Sequence, residues 1–120
     1  MTYGADVVSI AATTSGVTGT ITVPSGAHLR SLSLAYVEAA NAGDVPTIIE
    51  LTWAQAPTPL RFTPNGWGAV VGTAATTGDV HMIADQVTIP LDVVVGNATT
   101  VTIKVTSTGN LTVKIGLEWD

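Results

Sequence analysis

Val87-Thr88-Ile89-Pro90-Leu91-Asp92-Val93-Val94-Val95 decides how this chain is read. Val87, Ile89, Leu91, Val93 and Val95 share one parity, and Thr88, Pro90, Asp92 and Val94 the other. Such alternation is the period of a pleated strand with one buried side. Two similar runs follow. Val101, Ile103 and Val105 alternate with Thr102, Lys104 and Thr106, and Leu111, Val113, Ile115 and Leu117 alternate with Thr112, Lys114, Gly116 and Glu118. The links 96–99 and 106–110 each hold a Gly-Asn pair able to take positive φ, which predicts tight hairpins between successive strands. Pro90 has no N–H to give a ladder, so its strand is expected to lie at an edge or to bulge there.

Working back from this third of the chain, Leu32, Leu34 and Tyr36 alternate with Ser31, Ser33 and Ala35 in a strand over about 28–39, preceded by one over 17–23. Residues 6–13, 48–54 and 79–84 supply further strands. Between Ala54 and Gly78 the pattern weakens into turn chemistry, with a short strand at 68–73. Threonine occurs 20 times and valine 16 times, and these β-branched residues favour the pleated backbone. Glycine and proline leave no interval for a substantial helix. About eight strands without crossover helices predict two antiparallel sheets face to face. An immunoglobulin-like Greek key and a jelly roll both satisfy this, and the long strands favour an eight-stranded single jelly roll.

The 120 residues suffice for one β-sandwich domain spanning 1–120. Surface scaling has a chain of this mass burying roughly 65% of its unfolded surface. Charged residues make up 11% and hydrophobic ones 46%, with mean hydropathy +0.44, which excludes intrinsic disorder. The absence of cysteine removes disulfide scaffolds, thiolate metal sites and thiol nucleophiles. A net charge of −5 argues against direct nucleic-acid binding and against anionic membranes. No apolar run approaches the ~20 residues of a membrane span, and residues 1–6 carry no visible signal peptide.

Chemistry-bearing residues are sparse. Asp79-Val80-His81, with Asp85 nearby, places two ligand types on one strand face, yet one His and one or two Asp leave a metal set incomplete. His28 and His81 have no evident oriented partner, and no Gly-x-Ser-x-Gly or phosphate-loop pattern occurs. The expectation is a non-enzyme with no metal and no cofactor. Asn97-Ala98-Thr99 and Asn110-Leu111-Thr112 match glycosylation acceptors but are read as turns. Among the aromatics, Trp53 shares a strand face with Ile49 and Leu51 and is expected in the core. Trp67, in the turn-rich Pro64-Asn65-Gly66-Trp67-Gly68, is a candidate for stacking on a sugar or for burial in a neighbouring subunit. Trp119, one residue from the end, is a second candidate for docking into an adjacent copy.

The segment Ile21-Thr22-Val23-Pro24-Ser25-Gly26-Ala27-His28-Leu29-Arg30-Ser31-Leu32-Ser33-Leu34 carries a resemblance. A strand ending in Val-Pro-x-Gly, then a long Leu/Ser strand, resembles the opening of small viral and phage β-sandwich virion proteins, including single-jelly-roll capsid proteins. The closing strands, 100–106 and 111–119, are similar to the end of that fold. The resemblance covers about half the chain. It implies a virion location, assembly in the host cytoplasm, and partnership with copies of itself and other virion structural proteins. Many capsid proteins have a basic N-terminal arm that this chain lacks, so genome neutralisation falls to other components.

Physical chemistry supports the same reading independently, because a surface poor in charge and rich in Thr, Ala, Val and Gly is cheap to desolvate between subunits. The expected function is a structural, self-assembling capsid, vertex or surface-decoration subunit, with loops 40–47 and 55–78 projecting or sealing joints. The alternative is a carbohydrate-binding, lectin-like sandwich with Trp67 as platform, aided by Trp53 or Tyr36, and Asn65, Asp79 and Asp85 as polar partners. A third reading, a cupin-like metal enzyme, asks for more histidines than the two present.

Overall fold

The computed structural model describes residues 3–39, 46–54, 56, 58–63, 80–82 and 87–120. Nine strands form among them: β1 (Gly4–Ala12), β2 (Val17–Thr22), β3 (His28–Ala39), β4 (Pro46–Thr52), β5 (Leu60–Phe62), β6 (Val80–Met82), β7 (Val87–Val94), β8 (Thr100–Ser107) and β9 (Leu111–Trp119). One sheet has the order β1-β9-β3-β6, with β7 also on β3, and the other has the order β2-β8-β4-β5. All the strand pairings are antiparallel. β6 pairs with residues 37–39 of β3 and β7 with residues 28–34, so the two occupy one place end to end along the same neighbour. The nine strands thus fill eight places, four to a sheet. Nested pairs β1·β9, β2·β8, β3·β6/β7 and β4·β5, joined through β9·β3 and β8·β4, are the strand order of a jelly roll, the architecture expected from the sequence.

The core follows from alternation. Ile10, Ala12, Ile21, Leu29, Leu32, Leu34, Ile49, Leu51, Val101, Ile103, Val105, Val113, Ile115 and Leu117 are buried between the sheets. β3 keeps both Leu29 and Leu32 inward because an irregularity between Leu29 and Ser31 shifts its register against β7 and β9 alike, reversing the parity of its faces. Pro90 sits opposite Ser31 at that irregularity, and among the described residues β7 pairs with β3 alone. The edge and the bulge expected of Pro90 are both present.

The expected hairpins do not form. β7 and β9 belong to one sheet and β8 to the other, so both short links cross the sandwich. Alternation shows that each strand buries one side but not against which sheet. Gly109 lacks the positive φ that a two-residue hairpin needs, whereas Gly96 has φ 65° and uses it to turn between sheets. In the weak segment the strand that forms is Leu60–Phe62, three residues bounded by proline-rich sequence and too short to register as a period. The strand expected at 68–73 lies outside the described residues, as do Gln55, Pro57 and 64–79 of the long loop and 40–45 of the other.

Trp119, a candidate for docking into an adjacent copy, packs within its own chain. Its ring is 8% exposed in the chain's own core, and a Cβ built at Gly4 would collide with it. The strand end is fastened as well, since His28 N–H donates to Asp120 O and Asp120 N–H to His28 O, each at 3.0 Å. A terminal tryptophan looks free in sequence, but here the β1–β9–β3 ladder carries it inward.

Candidate functional site

Three surface features could do chemistry or recognition. The first is a groove where β4 ends and the β7–β8 turn begins, of about 580 Å³ and lined by Thr52, Trp53, Ala54, Asn97, Ala98, Thr99, Thr100 and Thr102. Trp53 continues the inward parity of Ile49 and Leu51, as expected, but lies just past the strand, so it packs on the core while remaining half-buried. Thr52 and Thr102 are register partners across β4 and β8, which brings the tryptophan and the 97–100 segment to one wall. Backbone hydrogen bonds fix that segment. Gly26 N–H donates to Gly96 O at 2.6 Å, Val95 N–H to Ala27 O at 3.0 Å, Val23 N–H to Thr99 O at 2.9 Å, and Ala98 N–H to Val95 O at 3.3 Å. Just past Trp53, Ala56 N–H closes a turn on Trp53 O at 2.9 Å.

The second feature is the outward side of β1. Ala5, Val7, Ser9 and Ala11 are all exposed, and none is charged. Val7 is 61% exposed and faces Gly116 on β9, whose missing side chain leaves a depression of about 160 Å³ bordered by Ala5, Asp6, Val7, Ser33, Gly116, Leu117 and Glu118. Tyr3, just before β1, is 65% exposed, and its Oη donates to Glu118 Oε2 at 2.7 Å. That hydrogen bond to a carboxylate, with a lesser desolvation and the nearby charge, raises the phenol above its ordinary 10.0.

The third is an ionic cluster at the start of β3. His28 Nε2 contacts Asp92 Oδ1, His28 Nδ1 lies 3.3 Å from Asp120 Oδ1, and Arg30 Nε lies 3.6 Å from Asp120 Oδ2. Asp120 Oδ1 is buried, and its approach to the imidazole lacks the alignment of a hydrogen bond. Nothing local in the sequence announces these partners, because His28, Asp92 and Asp120 meet only through β3·β7 and β3·β9 pairing. The cluster ties three strand ends together. Among the described residues no group of three or more His, Asp or Glu is arranged to hold a metal ion.

The outward face of the second sheet is a field of threonines: Thr18, Thr20 and Thr22 on β2, Thr100, Thr102 and Thr106 on β8, and Thr52 on β4, with Lys104, Glu50 and Arg61 forming one charged row. Arg61 Nη2 meets Glu50 Oε2 at 3.3 Å in that row, an exposed pair of small energetic weight.

Of the residues singled out from the sequence, Trp67, Asn65, Asp79 and Asp85 lie outside the described residues. His81 is placed in β6 opposite Glu38, and Tyr36 lies in β3 opposite Lys114. The sequence reading passed over Asn97 and Thr99–Thr102 as turn and strand filler.

No protein family matches the sequence, and no curated protein matches it. Among solved structures, the chain is similar to one in the structure described as "Cyanophage Pam1 capsid asymmetric unit", with TM-score 0.49 and 20% identity, over 98% of this chain and 80% of that one.

Proposed function

We propose that the chain is a non-catalytic structural subunit of a virus or phage particle, a capsid, vertex or surface-decoration protein that assembles with copies of itself and other virion proteins. Fold alone does not carry such a reading, since jelly rolls host many functions. The observation that carries it is β1: a nine-residue strand at a sheet edge, without proline, whose outward row Ala5-Val7-Ser9-Ala11 is exposed and uncharged. Edge strands that stay monomeric are blunted by proline, bulges or brevity. β7 has Pro90 and an irregularity, and β5 has three residues, whereas β1, an edge among the described residues, has neither proline nor brevity and carries a single charge, Asp6. A second copy that lays a strand or a small-residue face against β1 covers its uncharged outward row and finds the depression over Gly116 to fill, with the carboxylates of Asp6 and Glu118 left at the border of the contact.

Sedimentation velocity across a hundredfold range of concentration, with electron microscopy of the same samples, tests the reading. Oligomers, rings or shells are expected, and Val7→Asp is expected to shift the population at least about tenfold toward monomer by burying a charge at the contact. A strictly monomeric wild type at all concentrations and salts refutes it.

A further inference from the structure

We infer that the groove beside Trp53 is a binding site for a neutral saccharide. Among the described residues the groove is lined by four threonines, an asparagine, two alanines and a half-buried tryptophan, with no Lys, Arg, His, Asp or Glu. A pyranose ring presents axial C–H groups on one face and hydroxyls around its rim. It therefore needs an aromatic surface with short neutral donors and acceptors at the periphery, which is what Trp53, Asn97, Thr99, Thr100 and Thr102 bring together. The groove volume of about 580 Å³ falls in the range of small-ligand sites and leaves room for more than one sugar ring.

The same lining argues against the other ligands that stack on tryptophan. A nucleotide carries phosphates, and none of the described residues that line the groove is cationic. An apolar ligand would take the exposed threonine hydroxyls out of water without replacing their hydrogen bonds. Rigidity adds to the case: the 95–99 turn is held to residues 23–27 by three backbone hydrogen bonds, so Asn97 and Thr99 are ordered before any ligand arrives. The site is distinct from the Trp67 platform expected from the sequence, and it does not depend on assembly through β1.

Titration of the ¹⁵N-labelled full chain with glucose, galactose, mannose and N-acetylglucosamine, as monosaccharides and short oligomers, followed by amide chemical shifts, tests it. At least one series is expected to move the Trp53 indole N–H and the amides of 97–102 at millimolar concentration. Asn97→Ala and Thr102→Val, on exposed or half-exposed positions, are expected to weaken that response at least about fivefold with the remaining spectrum unchanged. Trp53→Ala should abolish it. No response from any sugar overturns the inference, as does a response centred away from these residues or one indifferent to Asn97→Ala and Thr102→Val. Shifts at 97–102 that grow with protein concentration and do not respond to sugar overturn it too, by assigning the groove to a second copy.

Discussion

Gly19→Ala is the sharpest test of how the two sheets meet at the β1·β2 corner. Gly19 shares the inward parity of Val17 and Ile21, and a Cβ there would sit 2.9 Å from Val8 Cγ2, 3.0 Å from Ile10 Cγ1 and 3.2 Å from Ile10 Cδ1. Carbon atoms settle at about 3.5–4.0 Å, so both β1 side chains must yield by about half an ångström or more. Ile10 is 2% exposed and has no room to move, which leaves Val8, half-buried, to take most of the shift. Overpacking of this kind costs about 1–3 kcal/mol. Removing a glycine from a strand returns about 0.5–1 kcal/mol of backbone entropy, so the net expectation is a loss centred on about 1 kcal/mol. Urea denaturation followed by tryptophan fluorescence reads this as a lower midpoint at unchanged m. Val8→Ala removes the nearest atom, so the double variant should recover about 1 kcal/mol relative to additivity. A Gly19→Ala protein as stable as wild type, or a cycle additive within about 0.4 kcal/mol, refutes the claim that the sheets approach closely because position 19 lacks a side chain.

Gly26 offers the complementary case. Its φ is +78° and a Cβ there would touch nothing within 4 Å, so Gly26→Ala should cost about 1–2 kcal/mol through backbone strain alone, readable by the same denaturation. A neutral or stabilised variant would show that the 24–27 turn is not held in that conformation. Tyr3 should ionise above the usual phenolic range, measured as the 295 nm absorbance difference between wild type and Tyr3→Phe, because ionising it breaks its hydrogen bond to Glu118 and sets two anions together. The sign follows from a folded value above the unfolded one. The contact's stabilisation is complete below pH 10 and disappears as pH rises through the folded value. An ordinary titration would mean that the phenol is not bonded to Glu118.

The parts of the fold that period-two alternation governs were legible before any coordinates. Val101, Ile103, Val105, Leu111, Val113, Ile115 and Leu117 are all buried as their spacing requires. Sheet membership was not, because a strand that buries one side reads the same whether its loop turns back or crosses over. Gly109 and Gly96 sit in similar Gly-Asn links yet only Gly96 takes positive φ, and a residue type cannot distinguish the two. The reversal of parity in β3 was hidden for a related reason, since an extra residue between Leu29 and Ser31 costs one ladder position and leaves no mark in composition. The groove was illegible as a unit: Trp53 and Asn97 come together through the Thr52–Thr102 register and the cross-sandwich turn, both products of topology.

Placement on opposite sheets decides how the two proposed surfaces interact. The groove opens among Thr52, Thr100 and Thr102 of the β2-β8-β4-β5 sheet, whereas Val7, Gly116 and Ser33 belong to the β1-β9-β3 sheet. Two sites couple only when one ligand's affinity differs between the states the other creates. A neighbour confined to the β1 row lies on the other sheet from Thr52, Thr100 and Thr102, and the turn that carries Asn97 is already fixed by hydrogen bonds within the chain. Assembly therefore has no rearrangement of the groove to offer or withhold. Saccharide affinity should be equal in assembled wild type and in dissociated Val7→Asp protein, and saturating sugar should leave the sedimentation profile unchanged. Dissociation by sugar would instead place the contact between copies on the threonine face, because only a neighbour lying over Thr100 and Thr102 competes with a ligand for the same hydroxyls.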